Sequence, residues 1–397
     1  MKGPSPRHLK RFASRCLKLG GYFRRPGDGR PRAQIDAGTL LWALIIGEVI
    51  RQGAFHAIES LVHSRARRAL AVAHRFGDDA LAYFTERLDP AITRQALAQT
   101  VRRAKRNKAF ENTPRIGLAL DGTGAARSCK VRCPLCHPIR DSEHQVVGHN
   151  HHFSAISIVG SQIVLPFDVE AYGPGDSELA ASTRLLVRGV GHLGPRFADY
   201  VVADGLYAGA PFLHTAGRLG LHVVIRLKAN LPELWKAAEA RFADRAPSSS
   251  FEFDRDRVEV WDADDFDPWD ALNWSTVRVL RYRQHKPDGH VVEAYWLTDF
   301  PSRQVGSRAL YAMAKSRWQI ENQVFNDGKN LYGLEKIRHH HENSLLIGWL
   351  VNCLALILER LYRLRYLHRG GRAPYTAVEL VRLLWLSLGA RCSQNTS

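Results

Sequence analysis

Three acidic residues in this chain sit where carboxylates do chemistry. Glu321 lies in a polar-faced helical segment, Arg317-Trp-Gln-Ile-Glu-Asn-Gln-Val-Phe-Asn-Asp-Gly-Lys329, with Arg317 one turn before it and pointing the same way. As an exposed pair one turn apart, the two would contribute only a few tenths of a kcal/mol. Asp121 closes the apolar run Arg115-Ile-Gly-Leu-Ala-Leu, Asp204 closes Tyr200-Val-Val-Ala, and each is followed by glycine. A carboxylate at the end of a buried strand is where an α/β sheet presents ligands. Three carboxylates meeting at one point repel one another unless divalent cations sit between them. Hard oxygen donors select Mg²⁺ or Mn²⁺. Two such ions, roughly 3.5–4 Å apart, activate an attacking oxygen and stabilise a leaving one in phosphoryl transfer.

The elements around these acids decide whether they can meet. After the Asp121 strand come two further strand patterns, Phe153–Val159 and Gln162–Asp168, separated by a Gly160-Ser161 turn. A helical pattern over about 176–190 leads to the Asp204 strand, and one near 211–219 leads to the strand His222–Lys228. Three antiparallel strands followed by helix, strand, helix, strand is the plan of a ribonuclease-H-like core. In that plan Asp121 and Asp204, 83 residues apart, end neighbouring strands. Alternating patterns over Ser250–Trp261, Thr276–Tyr282 and Val291–Thr298 predict an all-β insertion before the Glu321 helix, with Pro287-Asp-Gly as a turn. Its acidic loop, Asp262–Asp270, lacks the Gly and terminal Glu of a calcium loop and reads as solvated. Tyr311, Trp318 and Phe325 recur at heptad spacing, a stripe suited to packing the Glu321 helix on a sheet.

The predicted fold class is α/β: a ribonuclease-H-like core with an all-β insertion, a helical N-terminal domain and a helical C-terminal segment. The expected boundaries are a basic arm over 1–32, a helical DNA-binding domain over 33–112, the core over 113–235 and 305–342, the insertion over 236–304 and helices over 343–397.

Cysteines supply a second chemistry. Cys129, Cys133 and Cys136 cluster just after Asp121, with His137, His144, His149, His151 and His152 close behind. Three thiolates and an imidazole make a closed tetrahedral zinc site. Adjacent ligands at Cys136 and His137 would be strained, so His149 or His144 is the better fourth ligand; reduced surface thiols are the alternative.

The 397 residues carry a formal net charge of +17, unevenly distributed. Residues 1–115 hold 23 Lys/Arg against 9 Asp/Glu, whereas residues 248–300 hold 6 against 12. A basic front third suits a polyanion, above all double-stranded DNA, whose phosphates release counterions on binding. The start, Met1 to Arg32, has no apolar core of a signal peptide. The most apolar run, Leu345 to Leu358, is too short to span a bilayer and reads as a buried helix. The expectation is a cytoplasmic, nucleoid-associated protein with no membrane partner, in which six cysteines do not form a disulfide framework.

Leu120-Asp121-Gly-Thr, Ala203-Asp204-Gly-Leu-Tyr207, Arg226-Leu-Lys228 and Arg317-x-x-Ile-Glu321-Asn-x-x-Phe-Asn-x-x-Lys329 together resemble the DDE transposases of bacterial insertion sequences, in the class with a β-strand insertion before the last acid. The resemblance implies that Asp121, Asp204 and Glu321 are a catalytic triad holding two Mg²⁺ or Mn²⁺ ions. It also implies that Arg226, Lys228, Arg317, Lys329 and Tyr311 contact DNA. Relatives carry a tyrosine three residues before the arginine; here position 314 is Ala and the nearest is Tyr311. Their lysine follows the glutamate by seven residues, whereas Lys329 follows by eight, about 80° round an α-helix. The implied activity is cutting at transposon ends and joining the 3′-OH to target DNA, with a homodimer holding two ends. A metal-dependent nuclease that does not join strands, and a non-catalytic DNA-binding descendant, stand as alternatives.

Overall fold

The run Ile116–Leu120 is almost wholly buried, which dictates its place in the middle of a sheet covered on both faces. In the computed structural model, which describes residues 3–131, 133–367 and 375–393, it opens β1 (Gly117–Ser128). The other strands are β2 (His137–Arg140), β3 (Val146–Val159), β4 (Leu165–Tyr172), β5 (Tyr200–Ala203) and β6 (His222–Leu227). Strands β7 (Ser249–Phe253), β8 (Asp256–Phe266), β9 (Val277–His285) and β10 (Val291–Thr298) form the insertion.

The core order is β4-β3-β1-β5-β6, with β3 antiparallel to β1 and to β4, and β5 and β6 parallel to β1. This is the ribonuclease-H-like arrangement. The insertion does not fold apart from it: β10 pairs antiparallel with β6, Trp296 opposite Arg226, and β9, β8 and β7 continue the same sheet.

Three sequence expectations are corrected here. Strand β1 does not end at Asp121 but runs on to Ser128, because β3 is long enough to pair beyond it. The pattern Ser250–Trp261 is two strands, joined by a hairpin at Asp254-Arg255 whose φ values of 48° and 73° are unusual for non-glycine residues. Asp262 is not solvated: its side chain is buried against Arg278, whose Nε donates to Oδ1 at 2.8 Å. Arg278 Nη1 also donates to the carbonyl of Val305 at 2.7 Å, which pins the link from β10 to the Ser307–Ser316 helix.

Nor is the N-terminus a free arm. The Pro6–Arg15 helix buries Leu9, Phe12 and Ala13, with Phe12 edge-on to Tyr362 of the long Glu342–Tyr366 helix. That helix is apolar and long enough to cross a membrane, yet 89% of its apolar window is buried inside the protein. It packs against Ala37–Val49, Asp78–Arg87, Pro90–Arg106 and β4. Asp168 of β4, 1% exposed, receives Arg94 from Pro90–Arg106 at 2.9 Å and Arg188 from Glu178–Leu193 at 2.8 Å. N-terminal helices, C-terminal helix and central sheet thus share one core. Residues 368–374 and 394–397 of the expected C-terminal segment lie outside the described residues.

The stripe Tyr311, Trp318, Phe325 packs on the sheet as its spacing predicts: Tyr311 against Tyr282 of β9, Trp318 against Trp296 of β10, Phe325 against Phe153 of β3. Between Glu321 and Phe325 the helix widens to a π-helical turn. Such a turn bonds i to i+5 and is rarely formed without support. Arg360, whose side chain is 5% exposed, supplies that support. Its guanidinium donates to the carbonyls of Gln323 and Val164, and to Asp327 at 3.0 Å. Replacing Arg360 with Met leaves two carbonyls without this donor. The expected cost is about 2–4 kcal/mol of unfolding free energy, read by chemical denaturation.

Candidate active site

Strand register brings the first two acids level. Ala119 of β1 pairs with Val202 of β5, and two residues further along each parallel chain stand Asp121 and Asp204. Asp204 leaves the sheet at once: its Oδ1 accepts from the Leu206 N–H at 2.8 Å and caps the short turn Gly205–Tyr207. Glu321 arrives from the helix packed across this edge. That helix is fixed to the sheet by Tyr200 of β5, within 3.1 Å of Ser316 Oγ, and by Gln319, whose side-chain oxygen accepts the Gly160 N–H at 2.9 Å.

Arg317 couples the acids. Its side chain is 8% exposed, and Nη1 lies 2.8 Å from Glu321 Oε1 and 3.6 Å from Asp121 Oδ2. The pair Arg317–Glu321 is therefore no exposed surface pair but a bridge between two of the three acids. Lys228 Nζ stands 3.4 Å from Asp204 Oδ2, with half of its side chain exposed.

A fourth carboxylate joins them. Glu178, at the start of the Glu178–Leu193 helix, accepts the Tyr207 hydroxyl at 3.0 Å and also the Gly122 N–H. A Cβ at position 122 would lie 2.2 Å from Glu178 Oε2, so Gly122 serves close approach of this acid rather than a turn. In the sequence Glu178 is an ordinary first-turn acid behind a Ser177 cap, and only the Asp121-Gly pair gave a hint of it.

Burial, together with the charges of Glu321, Glu178 and Asp204, raises Asp121 from the usual carboxylate range to about 7, with Arg317 opposing the rise. Glu178 is raised as well, first by burial. A cluster so short of positive charge has the donor chemistry that a hard divalent cation neutralises, and its oxygens fit Mg²⁺ or Mn²⁺.

The basic residues named from sequence divide. Lys228 is exposed beside Asp204. Lys329 pairs with Glu335 at 3.1 Å, and Arg226 lies over the Trp318 ring at 5.9 Å. Because a π-helical turn holds one more residue than an α turn, the eight residues from Glu321 to Lys329 span the angle of seven. Tyr311 is fully buried among Phe251, Phe253 and Tyr282, so its ring packs the insertion onto the helix and is not presented to DNA.

The cysteine cluster assembles with a different histidine from the one expected. Cys133, Cys136 and His151 come together, while Cys129 is exposed and, with His149, stands outside the group. His149 and His151 are both on β3 but about 7 Å apart along it, and the Cys133–Cys136 turn lies at the level of His151.

The family described as Transposase DDE domain matches residues 148–358, more than half of the chain, including Asp204 and Glu321 but not Asp121. No curated protein matches the chain. Among solved structures, it is similar to a piggyBac transposase synaptic complex with hairpin DNA, at 11% identity and a TM-score of 0.47, over 98% of this chain and 81% of that one.

The raised Asp121 has a measurable consequence in protein free of divalent ions. Its charged form is disfavoured in the fold, so stability is lost as pH rises from the unfolded value near 4 to the folded value near 7. Asp121→Asn lacks this loss. The expected result is a variant more stable than the parent above pH 7, by an amount on the order of a few kcal/mol, with the difference shrinking toward pH 4 in urea titrations.

Proposed function

Because the chain belongs to the transposase DDE domain family, we propose that it cuts DNA at transposon ends and joins the freed 3′-OH to target DNA, with Asp121, Asp204 and Glu321 as the catalytic acids. The observation that supports this reading is the convergence of the acids at one sheet edge: Asp121 and Asp204 stand level beyond the paired Ala119 and Val202, and Arg317 Nη1 lies 2.8 Å from Glu321 and 3.6 Å from Asp121.

Asp121, Asp204 and Glu321 would hold two Mg²⁺ or Mn²⁺ ions, which when bound activate the attacking oxygen and stabilise the leaving one. Arg317 offsets the charge of Asp121 and Glu321 and fixes the direction of the Glu321 carboxylate. Glu178, held by Tyr207 and Gly122, adds a fourth carboxylate to the same wall. Water attacks the phosphodiester at the transposon end and the 3′-oxygen leaves; that 3′-OH then attacks a target phosphodiester in the same site, and the target's own 3′-oxygen leaves, taking up the proton released. Both steps exchange one phosphate ester bond for another bond to phosphorus, so positioning and charge suffice and no covalent link to the protein is needed.

Double-stranded DNA is the proposed partner, with two chains holding two ends. Support comes from the basic front third and from a surface groove lined by Lys18, Arg102, Arg103 and Arg106, where the first helices meet Pro90–Arg106. Lys228 and Arg317 stand against the acids themselves, and the ammonium of Lys228, half exposed beside Asp204, is the one open to a phosphate.

The test is incubation of the protein with DNA carrying the ends, target DNA and Mg²⁺, followed by product mapping. Cleaved ends and joined products are expected; cleavage without joining would reduce the reading to a nuclease. Asp121→Ala, Asp204→Ala and Glu321→Ala are each expected to slow cleavage at least about a hundredfold, near 3 kcal/mol of transition-state stabilisation. Undiminished cleavage in any one of them refutes the triad. With the parent protein, the apparent Mg²⁺ affinity from titrations at several pH values is expected to rise with pH up to about 7 and then level, as Asp121 loses its proton.

A further inference from the structure

We propose that Cys133, Cys136, His151 and His340 form a structural zinc site that clamps the excursion between β1 and β3 to the segment following the Glu321 helix.

The distances among the first three are those of a tetrahedron around zinc. Two thiolates bound at about 2.3 Å stand about 3.8 Å apart, and a thiolate and an imidazole nitrogen about 3.5 Å apart. Here Cys133 Sγ lies 3.8 Å from Cys136 Sγ, and His151 Nε2 lies 3.2 Å from the first sulfur and 3.4 Å from the second. The sulfurs are far beyond the roughly 2 Å of a disulfide. Cys133-Pro-Leu-Cys136 forms a tight turn, closed by the Cys136 N–H on the Cys133 carbonyl at 3.2 Å, that aims both thiols the same way. Cys136 is 5% exposed and His151 fully buried, so the group is built into the protein rather than scattered on its surface.

His340 comes from another part of the chain, 19 residues after Glu321 and just before the Glu342–Tyr366 helix. Its ring centroid is 6.0 Å from that of His151. Two imidazoles on one zinc have centroids about 5 Å apart, so a small turn of the His340 side chain completes the set. Two sulfurs and two nitrogens select zinc over the oxygen-loving ions proposed for the acids. Four protein ligands leave no open position, which makes the site structural. The clamp would join the two regions that flank the acids: β1, which carries Asp121, and the exit of the helix that carries Glu321.

The full-length protein is purified without chelator from zinc-supplemented medium, and its metal content is measured by mass spectrometry. One zinc per chain is expected, retained in Cys129→Ser and His149→Ala and lost in Cys136→Ser. His340→Ala is expected to lower zinc affinity, by competition with a chromogenic chelator, beyond the 10–100-fold typical of an outer-shell partner. Should the variants fail to fold, cobalt replacement in the parent protein reads the same geometry, as the visible absorption of a tetrahedral cobalt–thiolate centre. A parent protein that neither contains nor takes up zinc, a cobalt form without that absorption, or unchanged affinity in His340→Ala overturns the site. The readout is metal binding alone, so its failure is distinct from failure of the transposase reading.

Discussion

Mutual repulsion among carboxylates is the constraint around which the rest of this structure is arranged. Asp121, Asp204, Glu178 and Glu321 share one field, and Asp121 is buried within it. Such an arrangement is unfavourable by itself and persists only where the surrounding fold over-determines it. Parallel pairing of β1 with β5 forces two of the acids level, Gly122 removes the Cβ that would exclude the third, and Arg317 draws the fourth inward. Each device increases local charge density. Arg317 alone among them also offsets it.

The helix bearing Glu321 shows the same economy of means. It is held along its length by packing of three aromatic rings onto β9, β10 and β3, which leaves it little freedom to slide. The π-helical turn then shifts the phase of everything beyond Glu321 without moving what precedes it. Arg360 reaches this turn from the Glu342–Tyr366 helix, which also packs on β4 and on the N-terminal helices. The geometry at the acids is therefore mechanically continuous with the basic helices proposed to meet DNA. The insertion belongs to the same body, since β10 extends the sheet from β6 and buried Arg278 ties its exit to the helix.

What the sequence alone determined is the part governed by local pattern and by chain order. Buried strand runs leading to acids, the helical phase of Arg317 and Glu321, the heptad aromatics and the apolar C-terminal helix are all periodic signals, and strand order sufficed for the core topology, though not for the end of β1. What only the tertiary structure decided is everything that depends on distance between remote segments. Glu178 looks like a common first-turn acid until β1 brings Gly122 beneath it. His151 takes the place expected of His149 because the rise along β3 sets which ring reaches the thiols. Tyr311 packs as its heptad spacing predicts, but that it is covered by β7 and β9 and so withheld from DNA is decided only by packing, and the first helix reads as an arm until Tyr362 packs on it. A sequence records which groups recur at what interval along one element, whereas burial and charge coupling arise between elements and exist only once these pack.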